Sequence, residues 1–554
     1  MGDAMNRLYF GDNLLVLKEH IADESVDLIY LDPPFNSNAN YNVLFKEHDG
    51  AQAASQIKAF EDTWRWDENA AQAYYDTVEA GGKLSETLQA FRKLVGESDM
   101  LAYLAMMAPR LRELRRVLKS SGSIYLHCDP TASHYLKLLM DGVFGPKFYR
   151  NEIVWQRTNA KGLAFTRFAN NHDVLLAYSR AEQCVWNSQY TKHDPKYVQK
   201  FYRHVELDTN RRYRLADLTN PNKNRPNLTY EFLGVTRVWR WTRDRMERAH
   251  KAGLIIQSAP GKVPQLKRYL DEQEGNPVGD TWTDILPVQA QAAERLGYPT
   301  QKPIALLERI ISASSDPQAI VLDPFCGCGT TIDAAQKLGR RWIGIDITHL
   351  AVNLIRHRLR DSYGEEIAKT YDVVGEPASI VDARILAESD RYQFQWWALG
   401  LVGARPAEKK KGADKGIDGR LYFHDDHGGD ETKQIIISVK SGKIGVKDVR
   451  ELKAVVDREK AQIGVLISMH PTTRDMRGEA AAAGHYVSPW GKHGKLQLLT
   501  IGDLLEGKRI DMPKATGANV TFKKAPKHKR KGGEQLHLKE EHAEYSASGV
   551  ETDG

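Results

Sequence analysis

Short apolar runs and amphipathic stretches alternate along the first part of this chain. The runs 26–31 and 123–127 are dominated by apolar residues, which is typical of strands buried on both faces of a sheet. Between them, residues 106–118 carry leucines at helical spacing, which predicts an amphipathic helix that stops at Ser120-Ser121-Gly122. The same rhythm returns later, with another apolar run at 319–322. The pattern predicts an α/β fold with a parallel sheet.

Residues 155–298 break this rhythm. Arginine and lysine interleave there with aromatic residues, most densely in Arg237-Val238-Trp239-Arg240-Trp241-Thr242-Arg243. A solvated insertion with a small β core would show this pattern. A nucleic-acid contact module would show it too, with cations on phosphates and rings that stack or wedge. The residues alone leave both interpretations open.

Composition narrows the class of protein only slightly. The chain has 554 residues, of which 41% are hydrophobic and 27% charged, so it should fold as about two to four globular domains. The net charge of +6 permits a polyanionic partner without requiring one. Four cysteines are too few for a disulfide framework, and no secretory signal or bilayer-spanning run is evident. A cytoplasmic protein without membrane association is expected.

An acid followed by two prolines stands at the end of the first apolar run. Asp32-Pro33-Pro34-Phe35 delivers a carboxylate to the carboxyl end of a strand, where open α/β sheets bind their ligands. The prolines restrict the backbone, so the Asp32 carboxylate and the Pro33 carbonyl can be aimed at one point as two acceptors. An exocyclic amine offers two N–H donors to such a pair, and Phe35 offers a flat face to the ring that carries it. The alternative is a rigid turn with a capping aspartate.

A glycine-containing turn stands at the end of the later apolar run. The segment Asp323-Pro324-Phe325-Cys326-Gly327-Cys328-Gly329-Thr330-Thr331 is followed by a predicted helix, a second strand and Asp346. Glycines let the backbone approach a ligand, a helix start offers free N–H groups, and an acid about twenty residues on can bind ribose hydroxyls. The turn lacks both G-x-G-x-x-G and a Walker lysine, which favours a ribose-bearing cofactor without a pyrophosphate. The alternative is a tight turn without a ligand.

Together the two motifs resemble those of S-adenosylmethionine-dependent amino-methyltransferases of DNA. The order of catalytic motif, insertion and cofactor motif is similar to that of the β-type enzymes, which methylate adenine N6 or cytosine N4. Gly11-Asp12-Asn13 and Thr300-Gln301-Lys302-Pro303 match flanking motifs of that group. The resemblance implies a Rossmann-like methyltransferase domain formed by residues 1–154 and 299–365, with 155–298 as an inserted target-recognition region.

The same resemblance implies roles for individual residues. Asp32, Pro33, Pro34 and Phe35 would form the catalytic motif, with Phe35 stacking on a base flipped out of double-stranded DNA. The implied cofactor-binding residues are Asp12, Lys302, Pro303, Asp323, Pro324, Phe325, Gly327, Gly329, Thr330 and Asp346. An aspartate at the start of the catalytic motif favours the N6 amine of adenine as the methyl acceptor, and cytosine N4 is the alternative. A homodimer and separate restriction-modification subunits both remain open as partners.

A second resemblance lies in the last third of the chain. Residues 384–508 are similar to the Mrr-like branch of the PD-(D/E)xK nucleases, in which Asp418 and Lys440 match catalytic positions and Asp418 would be a metal ligand. Ser438 stands where that family carries Glu or Gln, so Mg²⁺ is implied only for an active nuclease. An active nuclease, which would make the chain a fused restriction-modification enzyme, a nuclease fold kept for DNA binding, and an unrelated α/β domain are the alternatives. Residues 509–554 are expected to form a disordered tail.

Overall fold

A computed structural model describes most of the protein. The described residues are 6–34, 66–159, 168–289, 291–296, 298, 300–407, 416–424, 432–489, 491–513 and 525–527. Among them, no helix is both long enough and apolar enough to cross a membrane.

The strands of the described residues are numbered in chain order. They are β1 (Asn6–Phe10), β2 (Val26–Leu31), β3 (Leu118–Cys128), β4 (Tyr149–Gln156), β5 (His172–Ser179), β6 (Tyr190–Thr191), β7 (His204–Val205), β8 (Arg212–Asp217), β9 (Thr229–Phe232), β10 (Val235–Val238), β11 (Ile255–Ile256), β12 (Gln265–Tyr269), β13 (Asn276–Pro277), β14 (Thr281–Trp282), β15 (Ile320–Asp323), β16 (Arg341–Asp346), β17 (Tyr371–Val374), β18 (Arg405–Pro406), β19 (Gly419–Phe423), β20 (Lys433–Lys440), β21 (Ile463–Ser468), β22 (His485–Ser488), β23 (Gly491–Gly494) and β24 (Leu496–Thr500).

The α-helices are numbered in the same way. They are α1 (Asn13–His20), α2 (Glu68–Glu79), α3 (Gly82–Val95), α4 (Asp99–Val117), α5 (Ser133–Phe144), α6 (Pro195–Phe201), α7 (Arg243–Lys251), α8 (Ile304–Ser314), α9 (Thr330–Lys337), α10 (His349–Tyr363), α11 (Ile380–Ser389), α12 (Arg391–Leu401), α13 (Val446–Arg458), α14 (Arg474–Ala482) and α15 (Ile501–Leu505).

A nine-stranded sheet, in the order β14-β4-β5-β3-β2-β15-β16-β1-β17, positions the site. The strands from β3 to β17 in that order run parallel, while β5 is antiparallel to both β3 and β4. The predicted α/β fold with its Rossmann-like sheet is confirmed. Because β2 and β15 are parallel neighbours, with Leu322 opposite Ile29, the segments that follow them emerge at the same edge of the sheet.

The helix that packs beneath this sheet is longer than its leucine pattern predicts. Helix α4 begins at Asp99 because the Ser98 side chain caps it, accepting from Leu101 N at 3.3 Å. The predicted stop at residues 120–122 is wrong, since β3 runs through them. A Cβ on Gly122 would lie 2.8 Å from the carbonyl oxygen of Asp27, so this glycine allows a close approach of β3 to β2.

Residues Trp186–Thr281 form a separate compact unit. It contains the antiparallel sheet β11-β12-β8-β7, two small two-stranded sheets, and its own apolar core around Trp239 and Met246. The unit is narrower than the segment 155–298 because β5 belongs to the nine-stranded sheet.

The C-terminal region carries a five-stranded sheet in the order β18-β19-β20-β21-β24. Strands β20, β21 and β24 are parallel, and α13 and α14 connect them in turn, which is an α/β arrangement. Of the expected tail, 514–524 and 528–554 lie outside the described residues. Ala525, which falls in that expected tail, is buried against Leu296, Cys328 and Leu354.

Candidate active site

Asp32 follows β2 directly, and Lys302 approaches it from the loop before α8. Lys302 Nζ donates to Asp32 Oδ2 at 2.5 Å, and both side chains are largely buried. Asp32 Oδ1 is also buried and has no hydrogen-bond partner among the described residues. The Lys302 ammonium therefore binds one oxygen of this carboxylate. The other oxygen is a buried acceptor that receives no hydrogen bond from the described residues.

The neighbours of this pair are placed as follows. Pro33 is buried and Pro34 is half-buried, whereas Phe35 lies outside the described residues. Pro303 is buried and precedes the first residue of α8. Lys302 is predicted to contact the cofactor, and the structure shows that it binds the catalytic-motif carboxylate of Asp32.

The glycine turn links β15 to α9. Asp323 Oδ1 accepts from Phe325 N at 3.0 Å, and burial raises the pKa of Asp323 to about 7. Gly327 and Gly329 have φ angles of +47° and +73°, which other residues rarely adopt. A Cβ on Gly327 would lie 3.4 Å from the Tyr298 ring, so the bare backbone leaves room along the turn. Tyr298 was missed by the sequence analysis, since nothing local marks it.

Asp346 closes the turn from the end of β16. Its Oδ2 accepts from Gly327 N at 2.9 Å, and its Oδ1 accepts from Thr348 N at 2.9 Å and Thr348 Oγ1 at 2.8 Å. The side chain is buried, and burial raises the pKa of Asp346 to about 6. Asp346 thus contacts the glycine turn directly. Its three donors occupy three of the roughly four acceptor sites of a carboxylate, which leaves one for a further donor.

A group of hydrogen bonds joins the end of β1 to the glycine turn, and it involves Asp12, Asn13 and Arg110. Asp12 caps α1 by accepting from Leu14 N at 2.7 Å, and its carboxylate also accepts from Arg110 Nη2 at 3.0 and 3.1 Å. Arg110 Nε donates to Asn13 Oδ1 at 2.7 Å, and Asn13 Nδ2 donates to the Pro324 carbonyl at 2.8 Å. Arg110 was missed by the sequence analysis, and its only signal was an arginine among the buried positions of α4.

A buried network on the strands beside Asp32 was also missed. The Tyr30 hydroxyl lies 2.9 Å from His127 Nδ1, and His127 Nε2 lies 3.2 Å from Asp173 Oδ2. Burial opposes ionisation of Asp173, but hydrogen bonding to His127 and nearby cations outweigh it and hold the pKa of this carboxyl below its usual value. The network ties β2, β3 and β5 together at the edge that carries Asp32. Histidine and aspartate 46 positions apart give no local signal.

The second predicted site lies in the C-terminal region. Asp418 Oδ2 accepts from Val439 N at 2.7 Å and from Ser438 Oγ at 3.2 Å, so the chain's own donors occupy this oxygen. Lys440 follows on the same strand, β20. No group of three or more histidine, cysteine, aspartate or glutamate residues within the described ranges is arranged to hold a metal ion.

The fold is an α/β sheet with acidic residues at the ends of two of its parallel strands, the edge at which enzymes of this fold class bind their ligands. Residues 26–357 match the sequence profile of the N6/N4 DNA methylase family. Since this match covers more than half of the chain, the protein belongs to that DNA methylase family. Residues 392–506 match a second profile, that of the NACHT-associated inactive restriction endonuclease 1.

Individual relatives share moderate sequence identity with this chain. The type II methyltransferase M.EcaI of Enterobacter cloacae is 28% identical over 358 residues, which is 64% of this chain and 69% of that protein. The Mod subunit of the type III restriction-modification enzyme StyLTI of Salmonella typhimurium is 25% identical, over 60% of this chain and 50% of that protein. The DNA adenine methyltransferase YhdJ of Escherichia coli is 25% identical, over 66% of this chain and 88% of that protein.

Proposed function

We propose that this protein transfers a methyl group from S-adenosylmethionine to the N6 amine of adenine in double-stranded DNA. The observation that carries the proposal is the buried Oδ1 of Asp32, which has no hydrogen-bond partner among the described residues. Asp32 follows β2, and β2 is the parallel neighbour of β15, the strand that leads into the glycine turn. An acceptor in that position suits an amine N–H, and the neighbouring turn suits the cofactor that family membership implies.

Asp32 is the residue that acts on the amine. Its Oδ1 accepts one N–H and the Pro33 carbonyl accepts the other, which favours a pyramidal nitrogen with its lone pair free. Lys302 holds Oδ2 and so fixes the direction of Oδ1. When bound, S-adenosylmethionine supplies an electrophilic methyl group. As positive charge develops on the nitrogen, the preorganised Asp32 carboxylate stabilises it. The methylated nitrogen then loses one proton to water, which leaves a neutral amine and the neutral thioether of the spent cofactor.

The residues around the glycine turn fit the cofactor. Asp346 is a buried carboxylate with an acceptor site left on Oδ2, which suits a ribose hydroxyl. The backbone at Gly327 and Gly329 has no side chain to block close approach. Asp12, which Arg110 holds at the end of β1, would contact the adenine end of the cofactor or the target pocket.

Adenine is favoured over cytosine by the aspartate that opens the catalytic motif and by the likeness to a protein named as a DNA adenine methyltransferase. To test this, plasmid DNA incubated with the protein and labelled S-adenosylmethionine would be digested to nucleosides and analysed by mass spectrometry. N6-methyladenine is the expected product. N4-methylcytosine would overturn the choice of base alone, and an absence of labelled nucleoside would overturn the proposed activity.

Residues Trp186–Thr281 would supply the target-recognition surface for DNA with a flipped base. Trp239 lies in the core of this unit, so it is not a ring free to stack on bases. Arg237 and Arg240 are exposed on either side of it. Trp239 is thus turned inward while the two arginines face outward, where they could contact phosphates.

The C-terminal domain keeps a nuclease-like fold without DNA cleavage. Ser438 replaces the second acid, and Asp418 hydrogen-bonds to the backbone of its neighbouring strand. A magnesium site needs carboxylates free to face the ion. Asp418 therefore stabilises the sheet, and Lys440 would serve DNA contact.

Asp418→Asn tests this assignment. With Mg²⁺ and plasmid DNA, we expect no strand breaks from the wild-type protein or from the variant. The variant should lose on the order of 1–3 kcal/mol of stability, because Asn weakens two hydrogen bonds to a charged acceptor. Agarose gels and thermal unfolding provide the measurements. Magnesium-dependent breaks that disappear in Asp418→Asn would contradict the assignment and establish a nuclease.

A further inference from the structure

A buried glutamine of the C-terminal domain contacts the turn that follows Asp346. Gln393, on α12, accepts from His349 N at 3.2 Å through its Oε1 and donates to the Ile347 carbonyl at 3.4 Å through its Nε2. His349 is the first residue of α10, where a backbone N–H has no partner within its own helix. One side chain therefore bridges the turn on both sides of Thr348.

Thr348 is the residue that holds the Asp346 carboxylate. Its N–H and its hydroxyl both donate to Asp346 Oδ1. Gln393 bridges Ile347 and His349, which are the residues immediately before and after Thr348 in the chain. Any shift of this turn would therefore change the direction of the carboxylate proposed to bind the ribose.

The other side of the same turn is tied to β1. The His349 ring stacks on Phe10 with ring centroids 3.6 Å apart and planes 16° apart. Burial lowers the pKa of His349, which disfavours a positive charge on the stacked ring. Gly11 N donates to the Asp346 carbonyl at 3.0 Å, next to Asp12. The turn thus lies between the C-terminal domain and the strand end that carries Asp12.

The contact between α12 and α10 extends beyond Gln393. Asn353 Nδ2 donates to the Trp396 carbonyl at 3.3 Å. A Cβ on Gly400 would lie 2.0 Å from Asn353 Nδ2, so the Asn353 side chain packs directly against the backbone of this glycine. Positions 393, 396 and 400 share one helical face. The adjacent face, with Phe394 and Trp397, packs in the core of the C-terminal domain.

We propose that the nuclease-like domain has been retained as a support for the cofactor pocket, and that Gln393 is the positioning residue through which it acts. This inference rests on the proposed function, because the pocket in question is the proposed S-adenosylmethionine site. The domain would set the affinity for the cofactor without touching it. The domain would act on Asp346, the acid proposed to bind the ribose, through the turn formed by residues 347–349.

Gln393→Ala tests the proposal, with Gln395→Ala as the matched control. Gln395 lies on the same helix, but its amide donates to the Asp418 carbonyl inside the C-terminal domain. Both variants are made in the full chain, and S-adenosylmethionine binding is measured by titration calorimetry. We expect Gln393→Ala to weaken binding on the order of tenfold, and Gln395→Ala to change it less than about twofold. At saturating cofactor, kcat should be unchanged in both.

Hydrogen exchange provides the second readout. The amides of 347–351 should exchange faster in Gln393→Ala than in wild type or in Gln395→Ala. Equal cofactor affinity in wild type and Gln393→Ala, or equal weakening in both variants, would overturn the inference. A wild-type protein that binds no S-adenosylmethionine would instead overturn the proposed function. In that case the exchange comparison still decides whether Gln393 fixes the turn.

Discussion

Asp32→Asn is expected to lower kcat for DNA methylation by about 10²- to 10³-fold while S-adenosylmethionine binding stays within a factor of about three. The substitution preserves shape and removes charge. The amide oxygen would pair with the Lys302 ammonium that now binds Oδ2. The NH₂ group would then take the place of Oδ1 and present donors to the N–H groups of the target amine. Single-turnover methylation with labelled cofactor and calorimetric binding provide the measurements.

Asp129→Asn is the matched control for this variant. Asp129 follows β3, the neighbour of β2, and its Oδ1 accepts from Thr131 N and Ala132 N. Asparagine keeps that acceptor, so activity should stay within about twofold of wild type. An Asp32→Asn protein that retains a third or more of the wild-type rate would remove Asp32 from the catalytic assignment.

Asp346→Asn is expected to weaken S-adenosylmethionine binding by about 10- to 100-fold at neutral pH, because hydrogen bonds to a charged acceptor are lost. The pH dependence should distinguish the variant from wild type. Ribose hydroxyls favour the ionised carboxylate, so the cofactor would lower the pKa of Asp346, which burial raises to about 6 in the free protein. Wild-type affinity should therefore be full above about pH 6 and fall by about tenfold per pH unit below it. The Asp346→Asn curve should lack that step.

The comparison has one internal control. Asp372 is an exposed carboxylate on β17, and Asp372→Asn should reproduce the wild-type curve. Calorimetric titrations from pH 5 to 8 would measure all three. Wild-type affinity that is flat across this range would contradict the ribose role of Asp346.

Local pattern was a good guide to the strands that carry the site. The run 26–31 is β2 with the same bounds, and 319–322 differs from β15 by one residue. Strands buried on both faces are nearly continuous apolar segments, so their ends are visible in the sequence. The acid that follows such a segment is then placed at a sheet edge. Phe35, the remaining member of the first motif, lies outside the described residues.

Pattern was a poor guide where close packing sets the structure. The signal at residues 120–122 resembled a helix stop, yet Gly122 lies inside β3, where a side chain would meet the backbone of β2. The middle segment shows a similar limit at Trp239. The rings among the arginines left a solvated insertion and a nucleic-acid contact module both open, and the burial of Trp239 in the core of the unit excludes base stacking by this ring. In both cases the sequence shows the residue type but not the part of the fold against which that residue packs.

By itself, the sequence determined the α/β class, the order of the two motifs and the chemistry of the acids and glycines. These depend on residues within about twenty positions of one another. Only the tertiary structure decided that Lys302 pairs with Asp32, 270 positions away, and that Gln393 holds the turn after Asp346. Such contacts depend on the order of strands in the sheet and on which helix faces meet. Many lysines and glutamines in the chain would suit them equally, and only folding selects one.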